Sequence, residues 1–126
     1  MLRDHRSHAT IPVADLARAR EYYASTLGLD KVETETAGAA IISTGAGTRL
    51  ALFVTPNTQR GGHTQIGFVV DDIEAEVADL KSRGVVFQEY DMPGFKTVNS
   101  IADTPPTRAA WFLDPDGNTI GLVQLG

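Results

Sequence analysis

"HATIPVADLARAREYYASTLGL", residues 8–29, and "QIGFVVDDIEAEVADLKSRGV", residues 65–85, are two versions of one pattern. Each opens on alternating side chains, passes an Asp, continues with apolar residues at helical spacing and closes on Gly. Val13 matches Val70, Asp15 matches Asp72, and Leu16 matches Ile73. Asp15 and Asp72 are predicted helix N-caps, because a carboxylate there accepts from first-turn amides and is favoured by the helix dipole. Gly28 and Gly84 fit the helix stops.

The correspondence continues downstream. "AAIISTGAGTRLALFV" (39–54) and "AAWFLDPDGNTIGLVQ" (109–124) both read as strand, glycine-containing turn, strand. With weaker strands near 31–36 and 85–89, the chain reads as βαβββ twice. It is an α+β protein of one domain over 1–126, with modules at about 5–57 and about 62–126. Residues 90–107, "YDMPGFKTVNSIADTPPT", have no counterpart in the first copy and no clear period, so they read as a lid-like loop. Tyr90, Met92 and Phe95 are the apolar side chains such a lid would use as a cover.

Composition narrows the function classes. A length of 126 residues suits a single hydrophobic core. No apolar run approaches the roughly 20 residues needed to cross a bilayer, and the first residues lack the pattern of a secretory signal, so a soluble cytoplasmic protein is expected. A net charge of −5 argues against a nucleic-acid partner, which requires a concentrated Lys/Arg surface. The absence of cysteine removes disulfides, thiolate metal sites and a cysteine nucleophile. "TGAGTR" (44–49) occupies the place of "DPDGNT" in the repeat and lacks a following helix, so it reads as a hairpin turn and not a phosphate loop. His5 and His63 fall outside the strand alternation and suggest no hydrolase triad. Tyr22 and Tyr23 are expected on the inner face of the first helix.

Strand alternation sorts the remaining side chains onto two faces. Ile11, Val13, Leu50, Leu52, Val54, Ile66, Phe68, Val70, Ile120 and Leu122 form a uniformly apolar set that should pack under the helices. The opposite set is His8, Thr10, Arg49, Ala51, Phe53, Gln65, Gly67, Val69, Thr119, Gly121 and Val123. Its small and polar residues suit a concave, ligand-accommodating wall. Gly121, in mid-strand, marks a bulge or a close approach to the backbone; the expectation is that it widens a cavity.

Through "HATIPVADLARAREYY", "GFVVDDIEAEVADLKSRGV" and "AAWFLDPDGNTIGLVQ", the chain resembles the vicinal oxygen chelate superfamily, which includes glyoxalase I, extradiol dioxygenases and bleomycin-resistance proteins. The resemblance implies paired βαβββ modules forming an incompletely closed eight-stranded cup, assembled as a homodimer. In metal-dependent members the ligands come from the first and last strands of each module. On this chain those positions are His8, Ala51, Gln65 and Gly121. Two of the four carry no donor atom, and His8 and Gln65 are neutral when coordinating, so no catalytic metal and no cofactor are expected.

The leading expectation is therefore a metal-independent protein whose cup sequesters a small, apolar or aromatic organic molecule. The ligand pocket is predicted from His8, Thr10, Arg49, Ala51, Phe53, Gln65, Gly67, Trp111 and Gly121. His8 admits three readings: a vestigial ligand, a donor to the bound molecule, or a satisfied strand-end histidine. Arg49 reads either as a counterion for an acidic ligand or as a rim residue. Phe53 and Trp111 read as stacking surfaces or as core, with the face of Trp111 depending on the hairpin register. The alternative is a lyase, isomerase or dioxygenase relative. It would use metal-free acid-base chemistry or non-standard ligands such as His5, Glu89 or Asp103. A partner-binding module, with a filled cavity and an exposed apolar patch, is a third possibility.

Overall fold

A computed structural model describes residues 1–57 and 59–126, in two compact units, Met1–Gln59 and Arg60–Gly126. In the first unit, strand β1 (Ala9–Val13) leads to helix α1 (Leu16–Ser25), then β2 (Val32–Glu35), β3 (Ala39–Ser43) and β4 (Arg49–Val54). The sheet order is β1-β4-β3-β2, with β1 parallel to β4 and the other pairs antiparallel. A parallel first–last pair requires a crossover, and α1 is that crossover, lying over β3 and β4.

The second unit repeats the scheme and widens it. Strand β5 (Thr64–Val69) precedes helix α2 (Ile73–Ser82), followed by β6 (Asp91–Met92), β7 (Phe95–Val98), β8 (Ile101–Thr104), β9 (Thr107–Leu113) and β10 (Thr119–Gln124). The order is β5-β10-β9-β8-β7-β6, again with a parallel first–last pair. The two sheets hold ten strands where eight were expected. Neither closes into a barrel, as the cup reading requires.

The local causes are those of the repeat. The Asp15 carboxylate accepts from the backbone N–H of Arg18 at 3.0 Å and Asp72 from that of Ala75 at 3.1 Å, so each helix starts on its aspartate. The helices stop where Gly28 and Gly84 turn left-handed, at φ of 76° and 91°. The Val85 N–H then reaches back to the Leu80 carbonyl. Ile11, Val13, Leu50, Leu52, Ile120 and Leu122 are buried as the alternation predicted, and so are Tyr23 on α1 and Ile73, Val77 and Leu80 on α2. Toward the strand ends the rule weakens: Val54 is 42% exposed, and Ile66, Phe68 and Val70 are half-buried. Among the described residues, no helix is long and apolar enough to cross a membrane.

Two expectations are corrected in the second unit. The segment 85–89 makes only one bridge, Phe87 to Phe112, because β8 already holds the other half of β9's outer edge. Residues 90–107 form short strands instead of an irregular loop. Met92 and Phe95 pair across the Pro93–Gly94 turn, Val98 and Ile101 pair across Asn99–Ser100, and the segment continues the sheet as a meander.

Candidate ligand-binding site

On the open face of the second sheet, Trp111 and Gly121 are direct cross-strand partners, and Gly121 also lies beside Gly67. A methyl group at Gly121 would sit 3.3 Å from Trp111 Cδ1 and Nε1 and 3.2 Å from Thr64 Cγ2. The space a side chain at 121 would occupy is thus filled by the edge of the indole. Gly121 does not widen a cavity; it seats Trp111. At Gly67 a methyl group would meet nothing within 4 Å, so that glycine does leave open space.

Trp111 is the centre of an aromatic group. Its ring lies 5.9 Å from Tyr90 and 5.7 Å from Phe95, and these two are 5.4 Å apart, all in tilted or edge-on contacts. All three rings are half-buried. With Gly62, His63, Thr64 and Thr119 they line a hollow of about 210 Å³. The meander therefore brings Tyr90 and Phe95 to Trp111. Met92, 50% exposed, is not in the lining.

The positions of the other predicted residues differ. Between Thr64 and Ile66 the pairing with β10 shifts by one, so Thr64 stands across from Thr119 and reaches the Gly121 backbone. Gln65, expected there, is half-buried and outside the hollow. Such a bulge cannot be read from alternation alone. His63, to which the alternation assigned no role, is in the lining. Its imidazole folds back against Gly61 so closely that any side chain at 61 would displace it. The paired glycines of "RGGHT" were the available signal.

In the first unit, the open face holds Thr10 beside Ala51 and Pro12 beside Phe53. Ala51 is buried and Phe53 half-buried. His8 precedes β1 and is exposed, so it is not an interior strand residue. Arg49 Nε meets Glu33 Oε2 at 2.5 Å. Arg49 and then Ser43 hold the Glu33 carboxyl below its ordinary pKa. The guanidinium already has a counterion within its own unit.

The suggested alternative ligands are also engaged or apart. Glu89 accepts from the Ser100 hydroxyl at 2.6 Å, the Ser100 N–H at 3.1 Å and the Thr97 hydroxyl at 2.8 Å. Ser100 and then Thr97 hold its pKa below the ordinary value. The carboxylate braces a turn in which Asn99 and Ser100 have φ of 51° and 73°, a conformation costly for side-chain-bearing residues. Asp103 lies 3.8 Å from Arg108, and His5 is exposed near the N-terminus.

The family model for the Glyoxalase/Bleomycin resistance protein/Dioxygenase superfamily matches residues 5–122. The chain belongs to this superfamily. Among solved structures it is similar to TnmS3, an antibiotic binding protein from Streptomyces sp. CB03234, at 28% identity over 97% of this chain and 98% of that one, with a TM-score of 0.68. A glyoxalase/bleomycin resistance protein from the same organism is 31% identical over 92% of this chain and 98% of its own, with a TM-score of 0.66. A superfamily member from Sphaerobacter thermophilus DSM 20745 is 28% identical over 95% and 97%, with a TM-score of 0.67. A comparison with curated proteins finds no match.

The metal used by part of this superfamily does not fit the residues present. Ala51 and Gly121 offer no donor, and His8 and Gln65 supply no negative charge. Among the described residues, no group of three or more His, Cys, Asp or Glu could hold a metal ion.

Proposed function

We propose that this protein binds a small, flat, apolar or aromatic organic molecule without metal and without a chemical step, in the manner of a sequestering resistance protein. The observation that carries the reading is the ring group of Tyr90, Phe95 and Trp111, held half-exposed around a hollow of about 210 Å³. Rings meant only for a core would be covered; these leave faces and edges available for stacking. His63, Thr64 and Thr119 add a few polar groups at the rim, enough to orient a ligand. The similarity to an antibiotic binding protein supports a small-molecule ligand. The two carboxylates with lowered pKa are tied to Arg49 and to the Ser100 turn, which favours binding over acid-base catalysis. A cytoplasmic homodimer, as the sequence and the family resemblance led us to expect, is part of this proposal, and sedimentation checks the assembly.

Trp111 is the single tryptophan of the chain, so its fluorescence reports on the site directly. Titration with naphthalene- and acridine-sized aromatics and with aromatic antibiotics should give saturable quenching. At a hundred times Kd, thermal stability should rise by an amount equivalent to about 2.7 kcal/mol. Failure of every probe to quench Trp111 or to raise the Tm would sink the proposal. A stoichiometric transition metal in protein purified without chelator, lost in His8→Ala, would overturn its metal-independent part.

A further inference from the structure

The helix side of the second unit holds a larger hollow than the aromatic one. A cleft of about 630 Å³ lies between α2 and the outer strands, with Val77, Ala78, Val98 and Ile101 as its apolar surface and Lys81, Lys96 and Arg108 as its cations. Its origin is geometric. Six strands at about 4.8 Å spacing span roughly 24 Å, whereas one helix with side chains is about 10–12 Å across. Helix α2 packs over β9 and β10, so β7 and β8 extend beyond it. The helix contributes Glu74, Val77, Ala78 and Lys81, one stripe at i, i+3, i+4 and i+7. Alternation along β7 sends Phe95 to the aromatic group and Lys96 and Val98 to the cleft, leaving Val98 64% exposed.

The charges in the cleft divide into a paired set and an unpaired set. Arg108 meets Glu74 at 3.0 Å and Asp103 at 3.8 Å, so the acids share one cation. Lys81 and Lys96 make no hydrogen bond or ion pair among the described residues, although Lys81 lies near enough to Glu89 to help lower its pKa. Two ammonium groups, one on the helix wall and one on the strand wall, thus border an apolar surface in a chain of net charge −5. We infer that this cleft is a second ligand site, taking a small amphipathic organic anion whose carboxylate or phosphate head is held by Lys81 and Lys96 and whose apolar body lies over Val77, Ala78, Val98 and Ile101. Its volume is that of a small-molecule site. The inference is independent of the aromatic pocket.

The test uses the full-length protein with decanoate as probe and 1-decanol as its uncharged counterpart, followed by calorimetry and by amide chemical shifts. One saturable decanoate site is expected, with shifts centred on residues 77–81 and 96–101, and with 1-decanol at least tenfold weaker. Lys81→Gln with Lys96→Gln should weaken decanoate at least tenfold while leaving the Tm and the quenching of Trp111 by aromatic probes unchanged; Lys81→Glu with Lys96→Glu should abolish it. The inference fails if binding is not saturable, if decanol binds as tightly, if the neutral double variant binds as wild type, or if the shifts centre on Trp111. It also fails if the cleft is covered by a second copy, seen as self-association abolished by Val98→Glu.

Discussion

On the open face of the first unit Ile41 stands across from Ala51; at the same point of the second, Trp111 stands across from Gly121. Four residues in each inner strand keep one burial rhythm: Ala39 to Ile42 and Ala109 to Phe112 both alternate half-buried and buried. The frame was thus kept while one cross-strand pair was rebalanced, larger on one strand and smaller on the other. The lesson is that in a strand pair the space belongs to both residues. A glycine facing a ring is part of the ring's binding site in the same sense that a pocket wall is.

The rhythm is most severely tested at its buried positions. Phe112 is 1% exposed and makes an edge contact with Phe87 at 5.3 Å. Its counterpart Ile42 is equally buried. Phe112→Ala should cost about 3–5 kcal/mol and Ile42→Ala about 2–5 kcal/mol, read by denaturant unfolding. Similar losses in both would confirm equivalent core positions; a near-neutral Phe112→Ala would break the correspondence.

The rebalanced pair itself is tested next. Gly121→Ala forces its methyl group against Trp111 and Thr64 at 3.2–3.3 Å, and should destabilise by about 1–3 kcal/mol while shifting Trp111 emission. Adding Trp111→Ile recreates the Ile–Ala pair of the first unit. The double variant should recover stability, with a coupling of at least about 0.5 kcal/mol, and should lose aromatic ligand binding. Additive losses would mean that glycine and ring are not a matched pair.

What could be read beforehand follows from the range of the forces involved. Asp15, Asp72, Gly28 and Gly84 act within one or two helical turns, so their roles are visible in the order of residues. Asp15→Ala and Asp72→Ala should each cost about 0.5–2 kcal/mol, equally in the two units. Burial of Ile11, Leu50, Leu52 and Ile120 was legible for the same reason, because alternation is local. The occupant of Gly121 was not, since it depends on the register between β9 and β10. Nor was Thr64, which gains its place through a bulge invisible to alternation. The meander was missed because "DMPGFKTVNSIADT" mixes turn formers with short strands. Its Pro93–Gly94 dipeptide nonetheless marked a turn, and a hairpin would have followed from it.

The weakest expected effect separates the units by the origin of their lowered carboxyl pKa values. Glu33 is held down chiefly by its side-chain hydrogen bond from the Arg49 guanidinium, a charged donor, and Glu89 chiefly by hydrogen bonds from the Ser100 and Thr97 hydroxyls, which are neutral dipoles. A carboxylate whose folded pKa lies below its ordinary value of 4.5 stabilises the fold above that pH, and the contribution declines as pH falls through 4.5 toward the folded value. Glu33→Gln and Glu89→Gln should therefore each flatten the acid limb of the stability curve. Raising ionic strength from 0.05 to about 1 M shortens the Debye length to about 3 Å and screens an exposed ion pair far more than a hydroxyl contact. The Glu33 effect should shrink in salt while the Glu89 effect persists. Equal salt dependence at the two sites would show that Glu89 owes its depression to charge, with Lys81 the cation responsible, rather than to the turn it braces.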